Sequence, residues 1–240
     1  MSEIVVPQTC VKRIVKDVKE IIKNPLTNQG IYYQHDEENM LTGHAIIIGP
    51  SETPYEDGFY FFKFNFPTNY PFSPPTVTYF TNDGLTRFNP NLYKSGKVCV
   101  SVLNTWRGEP WTSCQTISSI LLVLCTLLSS NPIENEPGIN SNHPDCKNYN
   151  DILTYKNIEV AICGMISKKY LNTEFIVFYP IITEFFIKNY DKTLDKLRNF
   201  KINKPYRFFT HTALYGMGFT IDYDVLIELM ESCNALLKQT

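Results

Sequence analysis

The first regular pattern in the chain is an apolar stripe at helical spacing near the N-terminus. The stripe consists of Val11, Ile14, Val18, Ile21 and Ile22. Positions three and four residues apart share one face of an α-helix, so this spacing predicts an amphipathic helix. Lysines and an arginine lie outside the stripe and make the outer face basic. Asn24-Pro25 is expected to end the helix, because proline cannot continue it.

Three strand-like runs follow this helix. They cover residues 40–48, 59–66 and 76–80. In the middle run every second residue from Tyr60 to Phe66 is aromatic, while Lys63 and Asn65 fall on the opposite face. Turn residues separate the runs, and sequential strands with short links predict an antiparallel meander of three or four strands.

A long stretch without periodicity, residues 82–111, separates the strands from later helices. Loops of this length inside a domain are often functional. Thr112 and Gln115 form a capping-box pattern that is predicted to start a buried helix, and Asn131-Pro132 to end it. Helical spacing returns later, and a polar link is expected around residues 198–206. The helical runs cover residues 152–165, 175–186 and 223–237. Strands grouped apart from helices indicate an α+β fold.

Composition restricts the class of function. The chain is 43% hydrophobic, which suffices for a packed core, and its net charge of −2 lacks the basic footprint of a nucleic-acid-binding protein. No apolar run approaches the ~20 residues of a membrane helix, and residues 1–8 carry no secretory signal pattern. We therefore expect no nucleic-acid or membrane partner, and a reducing intracellular location in the cytoplasm or also the nucleus.

The cysteines and histidines do not have the spacing of metal ligands. None of the seven cysteines forms a C-x-x-C pair, and the four histidines are scattered. We therefore expect no metal and no organic cofactor.

Four motifs in and beside the long loop resemble the ubiquitin-conjugating enzyme family. Residues 66–75 resemble its proline-rich loop, and Asn89-Pro90-Asn91 stands where the family has His-Pro-Asn. Cys99 follows Asn91 by eight residues, as the active-site cysteine does, and Trp111 precedes the second helix. A single motif would be weak, but four in the right order are specific. Asparagine in place of histidine at the first position of the tripeptide resembles the pattern of one branch of the family.

The resemblance implies the ubiquitin-conjugating fold: an N-terminal helix, an antiparallel meander, a long active-site loop and C-terminal helices. The resemblance covers nearly the whole chain and weakens after about Lys168. We expect this fold over about residues 9–168 and a helical extension packed on this core over residues 169–240. The implied activity is transfer of ubiquitin, or a ubiquitin-like modifier, from an activating enzyme onto a lysine of a protein substrate, usually with a ligase. ATP is used by the activating enzyme.

Cys99 is the predicted nucleophile. A thiolate takes an acyl group from another thioester and passes it to an amine, provided that it is reachable. The alternative is that Cys99 is a small buried apolar residue, as free cysteines often are. A cysteine hydrolase would instead need a histidine partner, and a non-catalytic relative would lack the cysteine.

The resemblance assigns roles to three further loop residues. Asn91 is expected to stabilise the tetrahedral oxyanion, or to brace the loop, or both. Asn89, which cannot carry a charge, and Pro90 are expected to be structural. Glu136 is the candidate acid that orients and deprotonates the lysine, with Glu134 as the second candidate and a solvated loop glutamate as the alternative.

Docking residues are also implied by the resemblance. Lys12, Arg13 and Lys16 match basic contacts of the first helix, although a basic helix face is often only solvated. Phe72 and Trp111 match a ligase-facing patch, and the alternative is that both are core residues.

Overall fold

The computed structural model describes residues 5–203 and 207–239. It begins with the predicted helix, α1, and continues with a four-stranded antiparallel sheet in the order β1-β2-β3-β4. The bounds are α1 Gln8–Lys23, β1 Ile31–His35, β2 Thr42–Ile48, β3 Phe59–Asn65 and β4 Thr76–Tyr79. The meander is confirmed. Its first strand, β1, lies in a segment where the pattern marked no strand.

The helices that follow the long loop are α2 (Ile117–Leu127) and α3 (Asp145–Lys156). A π-helical segment, Asn157–Cys163, and the short helix α4 (Gly164–Ile166) continue α3.

The capping box of α2 was predicted at the wrong position. The side-chain oxygen of Thr116, directly before the apolar run, accepts a hydrogen bond from the backbone N–H of Ser119. In return, the backbone N–H of Thr116 donates to the side-chain oxygen of Ser119. An N-cap works only where its oxygen meets the free N–H groups of the first turn. Thr112 and Gln115 form a separate turn before the helix.

The C-terminal segment contains two long helices and a hairpin. The hairpin, β5 with β6, is antiparallel and was not expected. The predicted polar link is helical as far as Asn203, and its residues 204–206 lie outside the described residues. The bounds are α5 Tyr179–Asn203, β5 Arg207–Thr212, β6 Met217–Asp222 and α6 Tyr223–Lys238, after a 3-10 helix at Thr173–Phe178.

The four-stranded sheet is covered on both faces. Successive side chains of a strand point to opposite faces, and every residue of β2 is buried. One face, with Tyr60, Phe62 and Phe64, packs in the same core as α1, α2 and α3. The other face packs against the C-terminal segment. This second core includes Ile46, Ile48, Phe59 and Phe61 of the sheet and Phe175, Phe178, Ile182 and Phe186 of the segment.

Because both faces of the sheet are covered, the alternation of aromatic and polar residues in β3 predicted only part of its burial pattern. Lys63 and Asn65 lie at the uncovered end of the outer face, where Lys63 pairs with Glu174 at 2.9 Å. Over the part of the chain that the structure describes, no helix is long and apolar enough to cross a membrane.

Candidate active site

The long loop brings the predicted nucleophile and the predicted amide together. The backbone N–H of Cys99 donates to the carbonyl oxygen of Asn91 at 2.9 Å. In return, the side-chain Nδ2 of Asn91 donates to the carbonyl oxygen of Cys99 at 2.5 Å. A bridge between Leu92 and Val98 closes the chain between them. The eight-residue spacing therefore forms a narrow loop whose two ends are hydrogen-bonded.

The Cys99 side chain is buried in this conformation. Only 2% of Cys99 is exposed, and its neighbours Val98 and Val100 are buried as well. The expectation of a reachable thiol is therefore wrong for the conformation described, because the loop folds back on itself and turns this segment inward. An acyl donor can reach Sγ only after neighbouring groups move.

An open cleft adjoins the segment that follows Cys99. It is lined by Asn104, Thr105, Trp106, Arg107 and Pro137 and has a volume of about 750 Å³. Residues 104–110 are exposed, so this flap is the part of the loop least restrained by packing. The cleft lies between the flap and the segment that carries Glu136.

Asn89 is fully committed to hydrogen bonds inside the protein. Its Nδ2 donates to the carbonyl oxygen of Leu127 at 2.8 Å and to the hydroxyl of Tyr55 at 3.0 Å. Its Oδ1 accepts from the backbone N–H of Asn91 at 2.9 Å. Pro90 is buried beside it. This is the geometry that a structural role requires, because each polar atom of a fully buried amide is satisfied.

Arg87 is a part of the site for which the sequence pattern suggested no role. Its Nε donates to the carbonyl oxygen of Asn89 at 3.1 Å, and its Nη2 to that of Pro90 at 2.7 Å. The guanidinium carbon lies 3.4 Å from the ring centroid of Tyr93 and 5.3 Å from that of Tyr215. A cation over the face of an aromatic ring is attracted by the negative charge of that face.

Glu136 follows a 3-10 turn, Pro132–Asn135, and is half-buried. Its Oε2 accepts a hydrogen bond of 2.5 Å from the hydroxyl of Tyr215. The preceding Asn135 reaches Oδ1 of Asn89 at 3.4 Å, which ties this turn to the loop. Glu134, the second candidate acid, is exposed.

Comparison with known protein families gives a match over the part of the chain that contains these site residues. Residues 13–172 match the family described as Ubiquitin-conjugating enzyme. The chain belongs to the ubiquitin-conjugating enzyme family. The match includes the proline-rich loop, Asn89-Pro90-Asn91, Cys99 and Trp111, so the motifs that suggested the family lie inside it.

Individual relatives agree on the branch of the family. Ubiquitin-conjugating enzyme E2 Z of Danio rerio is 41% identical over 187 residues, which is 77% of this chain and 56% of that protein. The Homo sapiens protein of the same name is 44% identical over 163 residues, 67% of this chain and 46% of its own. The dual E2 ubiquitin-conjugating enzyme/E3 ubiquitin-protein ligase BIRC6 of Homo sapiens is 44% identical over 120 residues, 47% of this chain and 2% of its own. The chain thus spans about half the length of the E2 Z relatives.

Two residues with expected docking roles in this family member are engaged internally. Arg13 donates to Asp17 at 2.9 Å and to the carbonyl oxygens of Ser113 and Gln115. Trp111 is 7% exposed and donates its Nε1–H to the carbonyl oxygen of Pro71 at 2.7 Å. Trp111 is therefore buried, as the alternative interpretation had it, whereas the docking role of Arg13, whose side chain is 16% exposed, stays a prediction. Both tie loops to the core, because their long polar donors find backbone acceptors there.

The other expected docking residues are exposed on the surface. Phe72 is 76% exposed, and Lys12 and Lys16 lie on the exposed face of α1. A large apolar side chain with this exposure is suited to contact a partner.

No cluster of three or more histidine, cysteine, aspartate or glutamate side chains that could hold a metal occurs in residues 5–203 and 207–239. All seven cysteines are free thiols, and only Cys114 is exposed.

Proposed function

We propose that this member of the ubiquitin-conjugating enzyme family carries ubiquitin, or a ubiquitin-like modifier, as a thioester on Cys99. The Cys99 thiolate attacks the carbonyl carbon of the thioester on the activating enzyme. The new C–S bond forms as the old one breaks and the activating enzyme's thiolate leaves. A lysine amine of a protein substrate then attacks the same carbon, forms the isopeptide bond and releases Cys99.

The pairing of Asn91 with Cys99 is the observation that carries this proposal. An amide nitrogen has two N–H groups, and one of them donates to the Cys99 carbonyl oxygen. The second is the donor that we assign to the oxyanion of the tetrahedral intermediate. Both expected roles of Asn91, bracing and charge stabilisation, are compatible with this arrangement.

We assign to Glu136 the role of the carboxylate that orients and deprotonates the incoming lysine. Its carboxylate receives the proton of the incoming ammonium group, directly or through water, as the amine attacks. The chemistry needs only acyl exchange and proton transfer, so we propose that no metal or organic cofactor takes part. ATP is used by the activating enzyme in the step before.

The partners that we propose are the modifier, an activating enzyme, a ligase and protein substrates. The exposed Lys12, Lys16 and Phe72 support docking at α1 and the proline-rich loop. The free thiols support a reducing location, in the cytoplasm or also the nucleus.

The test is a charging assay with activating enzyme, ATP and a panel of modifiers. We expect wild type to form an adduct that a thiol reductant cleaves, Cys99→Ala to form none, and Cys114→Ala to behave as wild type. Cys99→Ser is expected to form an ester that resists the reductant. No adduct with any modifier, or an adduct that persists in Cys99→Ala, contradicts the proposal. Hydrolysis of a ubiquitin–peptide bond by the purified protein would favour a cysteine hydrolase instead.

A further inference from the structure

The tip of the β5–β6 hairpin contacts α3 and the loop that carries Asn89. The backbone N–H of Leu214 donates to Oδ2 of Asp145 on α3 at 2.8 Å. The backbone N–H of Arg87 donates to Sδ of Met217 at 3.2 Å, and Met217 belongs to the first core. A segment from the far end of the chain is thus anchored on both sides of its turn, next to the Asn89 loop.

Tyr215, at the centre of this turn, has an unusual backbone conformation. Its φ is +65°, in the left-handed region, and Gly216 follows with φ +57°. Left-handed geometry brings Cβ close to the following carbonyl oxygen, so bulky residues rarely adopt it. Such a conformation persists where the surrounding structure fixes it, and it often marks a functional position.

This turn places the side chain of Tyr215 in contact with both Glu136 and Arg87. The Tyr215 hydroxyl donates to Oε2 of Glu136 at 2.5 Å. The face of the ring lies 5.3 Å from the guanidinium carbon of Arg87, which holds the carbonyl oxygens of Asn89 and Pro90. Burial, together with the Glu136 carboxylate, raises the pKa of the Tyr215 hydroxyl, so it stays a protonated donor at neutral pH.

We propose that Tyr215 is a positioning residue that fixes the Glu136 carboxylate toward the incoming lysine amine. This inference rests on the function proposed above. Tyr215 itself exchanges no proton in the step: one ammonium proton goes to Glu136, the amine attacks the thioester carbon, the tetrahedral intermediate gives a second N–H proton to water, and the Cys99 thiolate leaves. The hydroxyl holds one carboxylate oxygen in place, which leaves the other to meet the nucleophile.

The experiment separates positioning from simple structural support by the choice of nucleophile. Wild type, Tyr215→Phe, Glu136→Gln and the double variant are charged, and discharge is followed in a single turnover onto free lysine or hydroxylamine. Hydroxylamine is already uncharged at neutral pH and needs no carboxylate to deprotonate it. Tyr179→Phe is the matched control, because it removes a tyrosine hydroxyl that bonds the Ile166 carbonyl oxygen, elsewhere in the C-terminal segment.

We expect Tyr215→Phe to slow discharge onto lysine about ten-fold, the loss typical of one hydrogen bond to a charged group. Charging and discharge onto hydroxylamine should stay as in wild type. The double variant should be no slower than Glu136→Gln alone, because the two residues act through one carboxylate. The Tyr179→Phe control should match wild type in every assay.

Three results would overturn the inference: lysine discharge unchanged in Tyr215→Phe, lysine and hydroxylamine slowed equally, or lysine discharge unaffected by Glu136→Gln. Failure of the proposed function has a different signature, since wild type would then not charge at all and the discharge step could not be reached.

Discussion

The side-chain amide of Asn91 donates to the backbone carbonyl oxygen of Cys99 at 2.5 Å, so one asparagine both holds the nucleophile's backbone and carries the second N–H that we assign to the oxyanion. These two roles have different energetic sizes, and a substitution can distinguish them.

Asn91→Ala is expected to slow discharge of the Cys99 thioester onto lysine by about 10²–10³-fold, the usual cost of losing an oxyanion donor. Its free energy of unfolding should fall by about 1–3 kcal/mol, because the change leaves the buried Cys99 carbonyl oxygen without this donor. Single-turnover discharge and denaturant unfolding measure the two effects. A variant that charges and discharges as wild type would leave Asn91 with a bracing role alone.

Cys99 should react slowly with a small alkylating agent in the native protein. It is 2% exposed, whereas Cys114 is exposed, so iodoacetamide is expected to modify Cys114 first. Peptide mass spectrometry at timed intervals measures the order, and the difference should vanish in denaturant. Equal native rates would show that the loop opens readily and that the buried conformation is not the dominant one in solution.

Asn89→Ala is expected to lower the free energy of unfolding by about 2–4 kcal/mol, because it leaves buried partners such as the backbone N–H of Asn91 unsatisfied. Asn69→Ala is the control: its exposed side chain bonds Ser73, and surface changes of this kind usually stay within about 0.5 kcal/mol. Urea unfolding measures both. Similar losses in the two variants would contradict a structural role for Asn89.

Phe175→Ala tests whether the C-terminal segment and the sheet unfold together. Phe175 is fully buried and its ring lies 5.0 Å from that of Phe61 in β3, so the change should cost about 3–5 kcal/mol. Its neighbour Ile176 is 49% exposed, and Ile176→Ala should cost far less. With Trp106 replaced by Phe in every protein compared, the fluorescence of Trp111, in the other core, should report the full loss for Phe175→Ala. An unchanged Trp111 transition would mean that the segment unfolds separately.

Asp83 should contribute to stability in a pH-dependent way. Burial raises the pKa of its carboxyl, but the backbone N–H groups of Thr86 and Leu85 and the Lys156 ammonium outweigh burial and lower it. A lowered folded-state pKa gives stability that is present above the unfolded value of about 4 and is lost as the pH falls through the folded value.

Asp83→Asn should therefore lower the free energy of unfolding at pH 7, and its difference from wild type should narrow as the pH drops below about 4. Asp195→Asn is the control, since that carboxylate is 70% exposed. Denaturant unfolding across pH 3–7 gives the profile. A difference that is constant with pH would show that the charge of Asp83 is not the source of its effect.

The sequence by itself determined the features that depend on neighbouring residues. The helical stripe of α1, the aromatic alternation of β3 and the spacing from Asn91 to Cys99 are local, because backbone geometry fixes which nearby side chains share a face. They were sufficient for the fold class, whereas the family and the pairing of nucleophile and amide came from the resemblance of four motifs, one of which is this spacing. The hairpin was missed, since its two short strands gain their stability from packing on α3 and not from pattern alone.

Only the tertiary structure decided which side chains are exposed and which distant residues meet. Arg13 and Trp111 donate to backbone carbonyl oxygens of neighbouring loops, and Cys99 is buried because its loop folds back. Tyr215 reaches Glu136 across 79 positions of sequence. Such contacts depend on how whole elements pack, and packing is decided by the sum of many weak contacts that no single stretch of sequence contains.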